Sequence, residues 1–427
     1  MPLRTLFSVF AATPRSWLVF LVVIFLRGAY NLSSPLVMSP DSRTYSRWAD
    51  QLIAVNFNYA DYLQNVSFVI PPVFYAGWIT LVAGAKVICG SHWQQALIVV
   101  NVLANAMLAV LVVDMAGRIT RQPKAAWLAF LLFCITYEIF IWTRYVLSDS
   151  TFLLLNFAIF SVLSRLLLAN GTGCEEDGAR PQQSSSRILI IALAVLCPLA
   201  FIWRPTSVVL LPLIVVAAFL LWRLRQAPPS QPVQQRARNA WRKRALGAGV
   251  VFLCITGLWI GHAALMQQPE RWPTRALSAT IKSNSKDYAG GIVVWDRPDT
   301  FHAPPTSLQD YVAISADRFK HFFHPIPNRP TFSLRHRIFS LCLYLSIYPL
   351  ACISLGALLM AKTGLGRREE AVAALAVGYV FAFAVFHSIT QLDYAWRYRA
   401  PILPHLILLA SIGFAMLFNR RTRTEIG

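Results

Sequence analysis

Two acidic residues at the starts of predicted helices have the chemistry of a catalytic base. Asp41 follows Ser39 and Pro40, which suit the N-cap and first position of a short amphipathic helix, and Asp149 lies within residues 147–151, just before an apolar stretch. The helix dipole helps to keep a carboxylate ionised in a first turn. Each acid is therefore a candidate base for removing a proton from a hydroxyl, with helix capping as the alternative role.

Four arginines and two tyrosines lie near these acids or beside other apolar stretches. They are Arg144, Arg204, Arg397 and Arg399, with Tyr45 and Tyr398. Guanidinium groups bind phosphate through paired N–H donors, so arginines gathered on one side of a membrane would suit a phosphate-bearing substrate. The alternative explanation is that the arginine side chains extend along a membrane surface and their aromatic neighbours anchor at the same depth.

The elements that carry these residues are predicted to be membrane helices. Hydrophobic residues make up 56% of the 427 positions and charged residues 14%, and the apolar residues come in runs of about 20, the length that crosses a bilayer. The runs are residues 17–37, 71–89, 94–115, 125–142, 151–168, 188–203, 207–222, 247–266, 338–361, 371–387 and 402–418. A soluble chain would not tolerate so many uninterrupted apolar runs, so we predict a single all-α polytopic membrane domain over residues 1–427.

Loop charge indicates which of these runs cross the membrane. The formal net charge is +20, and the loop 223–246 is strongly basic, a cluster that stays in the cytosol during membrane insertion. If every run crossed, starting from a cytoplasmic N-terminus with Arg4 and Arg15, this loop and residues 118–124 would both lie outside. Both loops are assigned to the cytosol if the run 71–89 does not cross the membrane but lies along its outer surface or forms a re-entrant helix. We therefore predict about ten spans, with interfacial helices in the first outer loop.

The same topology gathers the candidate residues on the non-cytoplasmic side. The outer segments include a first loop, 38–93, in which a short amphipathic helix starts near Asp41, and a large loop, 267–337, long enough to be functional. Because basic residues lie mainly in short cytosolic loops, we predict contact with membrane lipids and exclude nucleic-acid binding. The cysteines form no CxxC pair, so they predict neither a disulfide framework nor a metal site.

Taken in chain order, these motifs resemble the glycosyltransferase-C superfamily of polyprenyl-phosphate-sugar-dependent transferases. The shared features are Asp41 with Tyr45 four residues later, a Pro-Pro segment, an Arg-x4-Asp motif ending at Asp149, an Arg-Pro-Thr break at Arg204, and Arg-Tyr-Arg-x-Pro-x-x-Pro from Arg397. The similarity extends over residues 38–408. Within the superfamily the chain resembles the lipid A aminoarabinose transferases and protein O-mannosyltransferases, a group similar to glycosyltransferase family 39.

The resemblance implies a role for each candidate residue. Asp41 matches the base for the acceptor hydroxyl, and Asp149 matches an acid that assists catalysis or binds a metal. The positions that match substrate contacts near the lipid phosphate are Tyr45, Arg144, Arg204, Arg397, Tyr398 and Arg399. The resemblance implies no certain cofactor and leaves a divalent cation near Asp149 open.

The implied function is inverting transfer of a sugar from a polyprenyl-phosphate donor to a hydroxyl of a glycan, lipid or protein acceptor. The implied location is the periplasmic face of a bacterial inner membrane, in modification of the cell envelope. Two departures leave the donor sugar open: Val69 and Ile70 stand where relatives have a lysine before the Pro-Pro segment, and Ser42 replaces a common glutamate. The alternative functions are a polysaccharide polymerase or ligase, and a lipid-linked sugar flippase or secondary transporter.

Overall fold

The fold is built almost entirely of helices. The computed structural model describes residues 14–65, 75–169, 182–225, 308–326, 333–390 and 396–424. The α-helices are α1 (Pro14–Ser33), α2 (Pro40–Ala54), α3 (Tyr59–Asn65), α4 (Ala76–Cys89), α5 (Trp93–Thr120), α6 (Pro123–Ile135), α7 (Tyr137–Phe140), α8 (Asp149–Ala169), α9 (Gln182–Phe201), α10 (Leu210–Arg225), α11 (Leu308–Phe322), α12 (Leu334–Leu359), α13 (Arg367–Thr390) and α14 (Leu403–Thr424). Short 3-10 helices cover Gly90–His92, Ile141–Arg144, Pro205–Val209 and Trp396–Ile402. The described residues contain no β-strand, and an isolated bridge joins Val37 to Tyr145.

Several of these helices are long and apolar enough to cross a membrane. Seven stretches in the described part of the chain have that length and composition, and an eighth does if a bent pair counts as one span. The prediction of an all-α multi-pass membrane protein is therefore confirmed at this level. The number of about ten stays a prediction, because the apolar run 247–266 lies outside the described residues, as do most of the loops 223–246 and 267–337.

The bundle has two chemically different ends. At the end where α1 finishes and α8 begins, Asn101 of α5 donates to the carbonyl of Tyr145 (2.9 Å), and we call this the Asp149 end. At the opposite end, Asp114 of the same helix accepts from Arg165 (3.0 Å) among many basic residues, and we call this the basic end. In the described residues both ends carry arginines and lysines, and at the Asp149 end the acids Asp41, Glu138 and Asp149 pair with arginines.

Helix α4 lies beside α2 at the Asp149 end. Its 14 residues extend about 21 Å, less than the roughly 30 Å of a bilayer core. The Gly77 amide donates to the carbonyl of Ile202 (2.9 Å), and Lys86 Nζ donates to Asp50 Oδ1 (2.6 Å) on α2. Both ends of α4 therefore contact neighbours at the same end of the bundle, which agrees with the surface placement predicted for this apolar run.

One predicted span is broken. The apolar run 125–142 is predicted to cross the membrane, and in the structure α6 and the helical turns after it meet at an angle of 65°. Thr136 is extended at the break (φ −73°, ψ 98°), which leaves carbonyl groups at the end of α6 without helical partners. The buried Arg27 of α1 donates to the carbonyls of Phe133 (3.3 Å) and Cys134 (3.2 Å). This distant arginine supplies hydrogen bonds that stabilise the break, and the bent pair still has the length and composition of one span.

Helices α8 and α14 form the enclosed centre of the bundle, because most of their side chains are buried. Helix α1 lies at the periphery and exposes Trp17, Leu21 and Phe25 along its outer face. An outward apolar face suits a helix that contacts lipid instead of water. The enclosed helices α8 and α14 follow the segments that carry the candidate site.

Candidate active site

Helix α2 holds Asp41 at the Asp149 end through a capping box. Ser39 Oγ accepts from the Ser42 amide, Ser42 Oγ accepts from the Ser39 amide, both at 3.2 Å, and Pro40 occupies the first turn. The face that this helix buries consists of Ser42, Tyr45, Trp48, Ala49 and Leu52. The amphipathic helix predicted from the sequence is confirmed, and it leaves the Asp41 side chain 50% exposed.

Arg397 joins the two candidate acids. Its Nη1 donates to Asp41 Oδ2 (2.6 Å), while its Nε and Nη2 donate to the two carboxylate oxygens of Asp149 (3.0 and 2.9 Å). Arg204 Nη1 also donates to Asp149 Oδ1 (2.7 Å). We call these four residues the carboxylate–arginine cluster. They come from four separate segments, and the structure brings them together as the predicted sidedness requires.

Within the cluster, Asp41 is the residue with broad access to solvent. The side chains of Asp149, Arg204 and Arg397 are 3%, 11% and 17% exposed. Burial acts to lower the pKa of Arg204, but the adjacent Asp149 carboxylate, together with Tyr45 and Tyr75, outweighs burial and raises that pKa above its ordinary value. Buried charges are tolerated when they are paired, so Asp149 keeps both arginines charged and fixes their orientation.

Aromatic rings surround the cluster. Arg397 lies over the ring of Trp142 (5.5 Å to the centroid), and Arg204 lies over that of Phe152 (5.3 Å). Tyr45 is 5% exposed, and burial raises the pKa of its phenol well above the usual range. Sequence analysis missed Trp142 and Phe152, because an aromatic residue within an apolar run carries no signal of the face it occupies.

A second ion pair, which is enclosed, is formed by Glu138 and Arg399, and Arg399 lies two residues after Arg397. Arg399 Nε donates to Glu138 Oε2 (3.0 Å), its Nη2 donates to the other carboxylate oxygen, and its Nη1 donates to the carbonyl of His324. The Arg399 guanidinium also lies 4.4 Å from the ring centroid of Tyr344. Arg399 and Glu138 are each 2% exposed. This pair therefore anchors the 3-10 helix that carries Arg397, a role that sequence analysis did not assign to Glu138.

Of the four candidate arginines, Arg204 and Arg397 lie in the carboxylate–arginine cluster, and substrate contact by Arg144 and Arg399 stays a prediction. Arg144 lies over the rings of Tyr30 (5.8 Å) and Tyr145 (5.6 Å), because the turn after the broken helix directs its side chain toward α1. Arg399 is directed away from Arg397, because two residues along a 3-10 helix do not share a face. The intervening residue, Tyr398, is half-buried, and its ring stacks against that of His387, with centroids 5.2 Å apart.

The candidate metal position at Asp149 is occupied by protein donors. Both of its carboxylate oxygens accept from arginine, so a cation there would have to displace a guanidinium group. Within the described ranges, no three His, Cys, Asp or Glu side chains lie close enough together to hold an ion. The divalent cation near Asp149 stays a prediction.

Comparisons with protein-family models, with curated protein sequences and with solved structures found no match. The chemistry of the carboxylate–arginine cluster therefore carries the functional interpretation. It combines an accessible carboxylate, Asp41, with a buried carboxylate, Asp149, and two guanidinium groups that the buried acid orients. Such an arrangement can accept a proton and bind an anion within a few ångströms of each other.

Proposed function

We propose that the protein is an inverting membrane glycosyltransferase of the glycosyltransferase-C type. It transfers a sugar from a polyprenyl phosphate to an acceptor hydroxyl at the Asp149 end, on the periplasmic face of a bacterial inner membrane. The observation that carries this proposal is the contact of Arg397 with both Asp41 and Asp149. It puts an accessible carboxylate, suited to act as a base, beside guanidinium groups suited to bind a phosphate.

The donor phosphate binds to Arg397 on the side that faces Asp41. Asp149 occupies Nε and Nη2 of Arg397, so Nη1 is the edge of the guanidinium that an incoming phosphate can take over. A sugar phosphodiester carries one negative charge. When Asp41 gives up its contact and turns to the acceptor, Arg204 and Arg397 face a single carboxylate, and the phosphate restores neutrality. Donor binding therefore releases the base.

Asp41 then accepts the proton of the acceptor hydroxyl while the hydroxyl oxygen forms a bond to the anomeric carbon. The bond from that carbon to the phosphate oxygen breaks, and its electron pair stays on the phosphate, which gains a second negative charge. Arg397 and Arg204 stabilise this developing charge. Phosphate leaves readily without a protonating acid, and attack from the opposite face inverts the anomeric configuration. The proton on Asp41 later passes to solvent.

Sugar transfer by the purified protein tests the proposal. The full chain in detergent is incubated with a panel of polyprenyl-phosphate sugars and with membranes that contain acceptors, and mass spectrometry follows polyprenyl phosphate and the glycosylated product. Asp41→Asn is expected to lower the transfer rate about 10²–10⁴-fold, the usual contribution of a general base.

Asp61→Asn is the matched control, because Asp61 is an exposed acid of α3 that accepts from Asn58 at 2.6 Å. This control is expected to keep the wild-type rate. Undiminished transfer by a folded Asp41→Asn protein, shown by its melting temperature and elution volume, would refute the role of Asp41.

The same products distinguish the alternative functions. A polymerase or ligase would join lipid-linked glycans, and a flippase or transporter would leave the bond between sugar and phosphate intact. A transporter site is expected near the membrane midplane, within reach of both sides. Asp149 and Arg397 are instead the first residues of their candidate spans, Asp149–Ala169 and Arg397–Phe418. This position favours chemistry at one face of the membrane.

A further inference from the structure

A pocket at the basic end lies between the start of α1 and the end of α5, at the opposite end of the bundle from the carboxylate–arginine cluster. Its volume of about 350 Å³ falls within the roughly 300–1,000 Å³ of small-molecule sites. The lining includes the apolar side chains of Val19, Val110 and Val113 and the basic side chains of Arg15, Arg118 and Arg121. A ligand that suits this lining has an anionic group joined to an apolar part.

The arginines of the pocket outnumber its acids. Asp114, the acid in the lining, accepts from Arg118 (2.7 Å) and from Arg165 (3.0 Å), so one carboxylate is shared between two guanidinium groups. Arg121 contacts Glu369 at 2.5 Å, but the Arg121 side chain is 80% exposed, and ion pairs at such exposed positions are weak. The lining therefore keeps a positive charge that attracts an anion.

Arg15 indicates the depth of the pocket in the membrane. Its guanidinium lies 5.1 Å from the ring centroid of Trp127, and no carboxylate of the described residues pairs with it. Trp17, two residues further on, is 54% exposed, and tryptophan concentrates where lipid meets water. Leu18 and Leu21 continue an exposed apolar face along α1. The pocket thus lies at the level of phospholipid headgroups, next to a surface suited to acyl chains.

We propose that this pocket binds an anionic phospholipid. Its phosphodiester lies against Arg15 and Arg118, and its glycerol and first acyl carbons lie along Val110 and the exposed apolar face of α1. Guanidinium groups bind phosphate through paired donors, and basic residues at this depth attract anionic lipid. The lipid site and the proposed glycosyl transfer can each stand without the other, because they lie at opposite ends of the bundle.

Native mass spectrometry of the full chain in detergent tests the site, with phosphatidylglycerol and phosphatidylcholine of identical acyl chains as probes. The wild-type protein is expected to retain phosphatidylglycerol in preference to phosphatidylcholine. Arg15→Gln combined with Arg118→Gln is expected to lower this preference on the order of tenfold. Arg43→Gln combined with Arg335→Gln removes two exposed arginines elsewhere and is expected to keep it.

A separate variant tests whether the lipid enters the pocket. Val110→Phe fills part of the apolar wall, leaves every charge in place and is expected to lower retention of phosphatidylglycerol. Unchanged retention by a folded Val110→Phe protein would overturn the proposal, because it would mean a diffuse surface attraction. The melting temperature of each variant establishes that it is folded.

Four further results would also overturn the proposal. Two concern the lipid preference: equal retention of the two lipids by the wild type, and an unchanged preference in the protein with both Arg15→Gln and Arg118→Gln. The other two concern the occupant of the pocket: displacement of the lipid by millimolar inorganic phosphate, and lipid binding that appears only after removal of residues 1–13. Displacement by phosphate would identify a site for small anions. Binding after truncation would identify the N-terminal residues as the occupant.

Discussion

Arg397 and Arg399 lie two residues apart and both pair with acids near the end of the broken span, yet their surroundings differ. Arg397 shares its charge between Asp149 and the half-exposed Asp41, whereas the side chains of Arg399 and Glu138 are 2% and 3% exposed. A fully buried pair cannot exchange its partner without exposing a charge to a medium of low polarity. A pair with one accessible partner can do so when a ligand arrives. The buried pair of Arg399 and Glu138 suits a scaffold, and the accessible pairing of Arg397 suits a binding site.

The enclosed pair also determines where the accessible one can form. The 3-10 helix Trp396–Ile402 carries both arginines, and Arg399 fixes it to Glu138 just after the bend at Thr136. Trp142, which lies beneath Arg397, follows in the next turn. The bend and the Glu138 pair therefore position the groups that contact the proposed substrate, although neither faces it.

Breaking the enclosed pair is expected to cause the largest loss in free energy. Glu138→Gln leaves the Arg399 guanidinium charged and buried beside a neutral amide, and removing one partner of a buried pair costs about 3–5 kcal/mol. Thermal unfolding in detergent is expected to shift to clearly lower temperature. Asp50→Asn removes the exposed partner of Lys86 and is the matched control, with an expected cost of about 1 kcal/mol or less.

A different result for Glu138 would break the comparison. If Glu138→Gln melts together with the wild type but transfers no sugar, Glu138 belongs to the reacting site and the two arginine pairs do not have separate roles. Loss of stability together with a smaller loss of transfer than in Arg397→Gln would sharpen the distinction.

Arg397→Gln is expected to affect transfer more than stability. Removing a group that stabilises developing charge lowers the rate about 10²–10³-fold. The free energy of unfolding is expected to fall less than in Arg399→Gln, because Asp149 keeps its contact with Arg204 and Asp41 stays accessible to water. Melting curves and transfer rates for both variants measure the two effects separately. Equal losses of stability would end the distinction between a scaffold pair and a site pair.

The composition of the carboxylate–arginine cluster can be predicted from the sequence. Ser39 and Pro40 mark the start of the helix that carries Asp41, and loop charge predicts that Asp41 and the segments of Arg204 and Arg397 lie on the same side of the membrane. Residues restricted to one surface layer have few ways to satisfy buried charges except by pairing with each other. The presence of several helices long and apolar enough to cross a membrane follows from the apolar runs of the sequence.

The scaffold that positions this cluster cannot be predicted in the same way. The bend at Thr136 contains neither proline nor glycine, and its capping group, Arg27, is separated from Phe133 by 106 residues. Glu138 and Arg399 are 261 residues apart. An Arg-x-Arg spacing does not reveal which arginine is enclosed, because that depends on the distant helices that cover each side of the 3-10 turn.

The smallest expected effect comes from removing the Tyr45 hydroxyl. Phenylalanine keeps the packing against Trp48, whose ring centroid is 5.9 Å away, so the variant changes one polar group beside the cluster. A single neutral hydrogen bond contributes about 0.5–1.5 kcal/mol, so Tyr45→Phe is expected to lower transfer less than about tenfold. Tyr62→Phe, at a buried tyrosine of α3, is the matched control and is expected to leave transfer unchanged.

The pH dependence of Tyr45→Phe shows which property of the phenol matters. Burial raises the Tyr45 pKa well above its usual range, so the group stays protonated at neutral and mildly alkaline pH and ionises only beyond it. The variant and the wild type are therefore expected to share one profile of transfer rate against pH. A change in the wild-type transfer rate at alkaline pH that is absent from Tyr45→Phe would show that the phenol titrates. Tyr45 would then take part in the proton-transfer chemistry beside Asp41 and not only in the packing around the cluster.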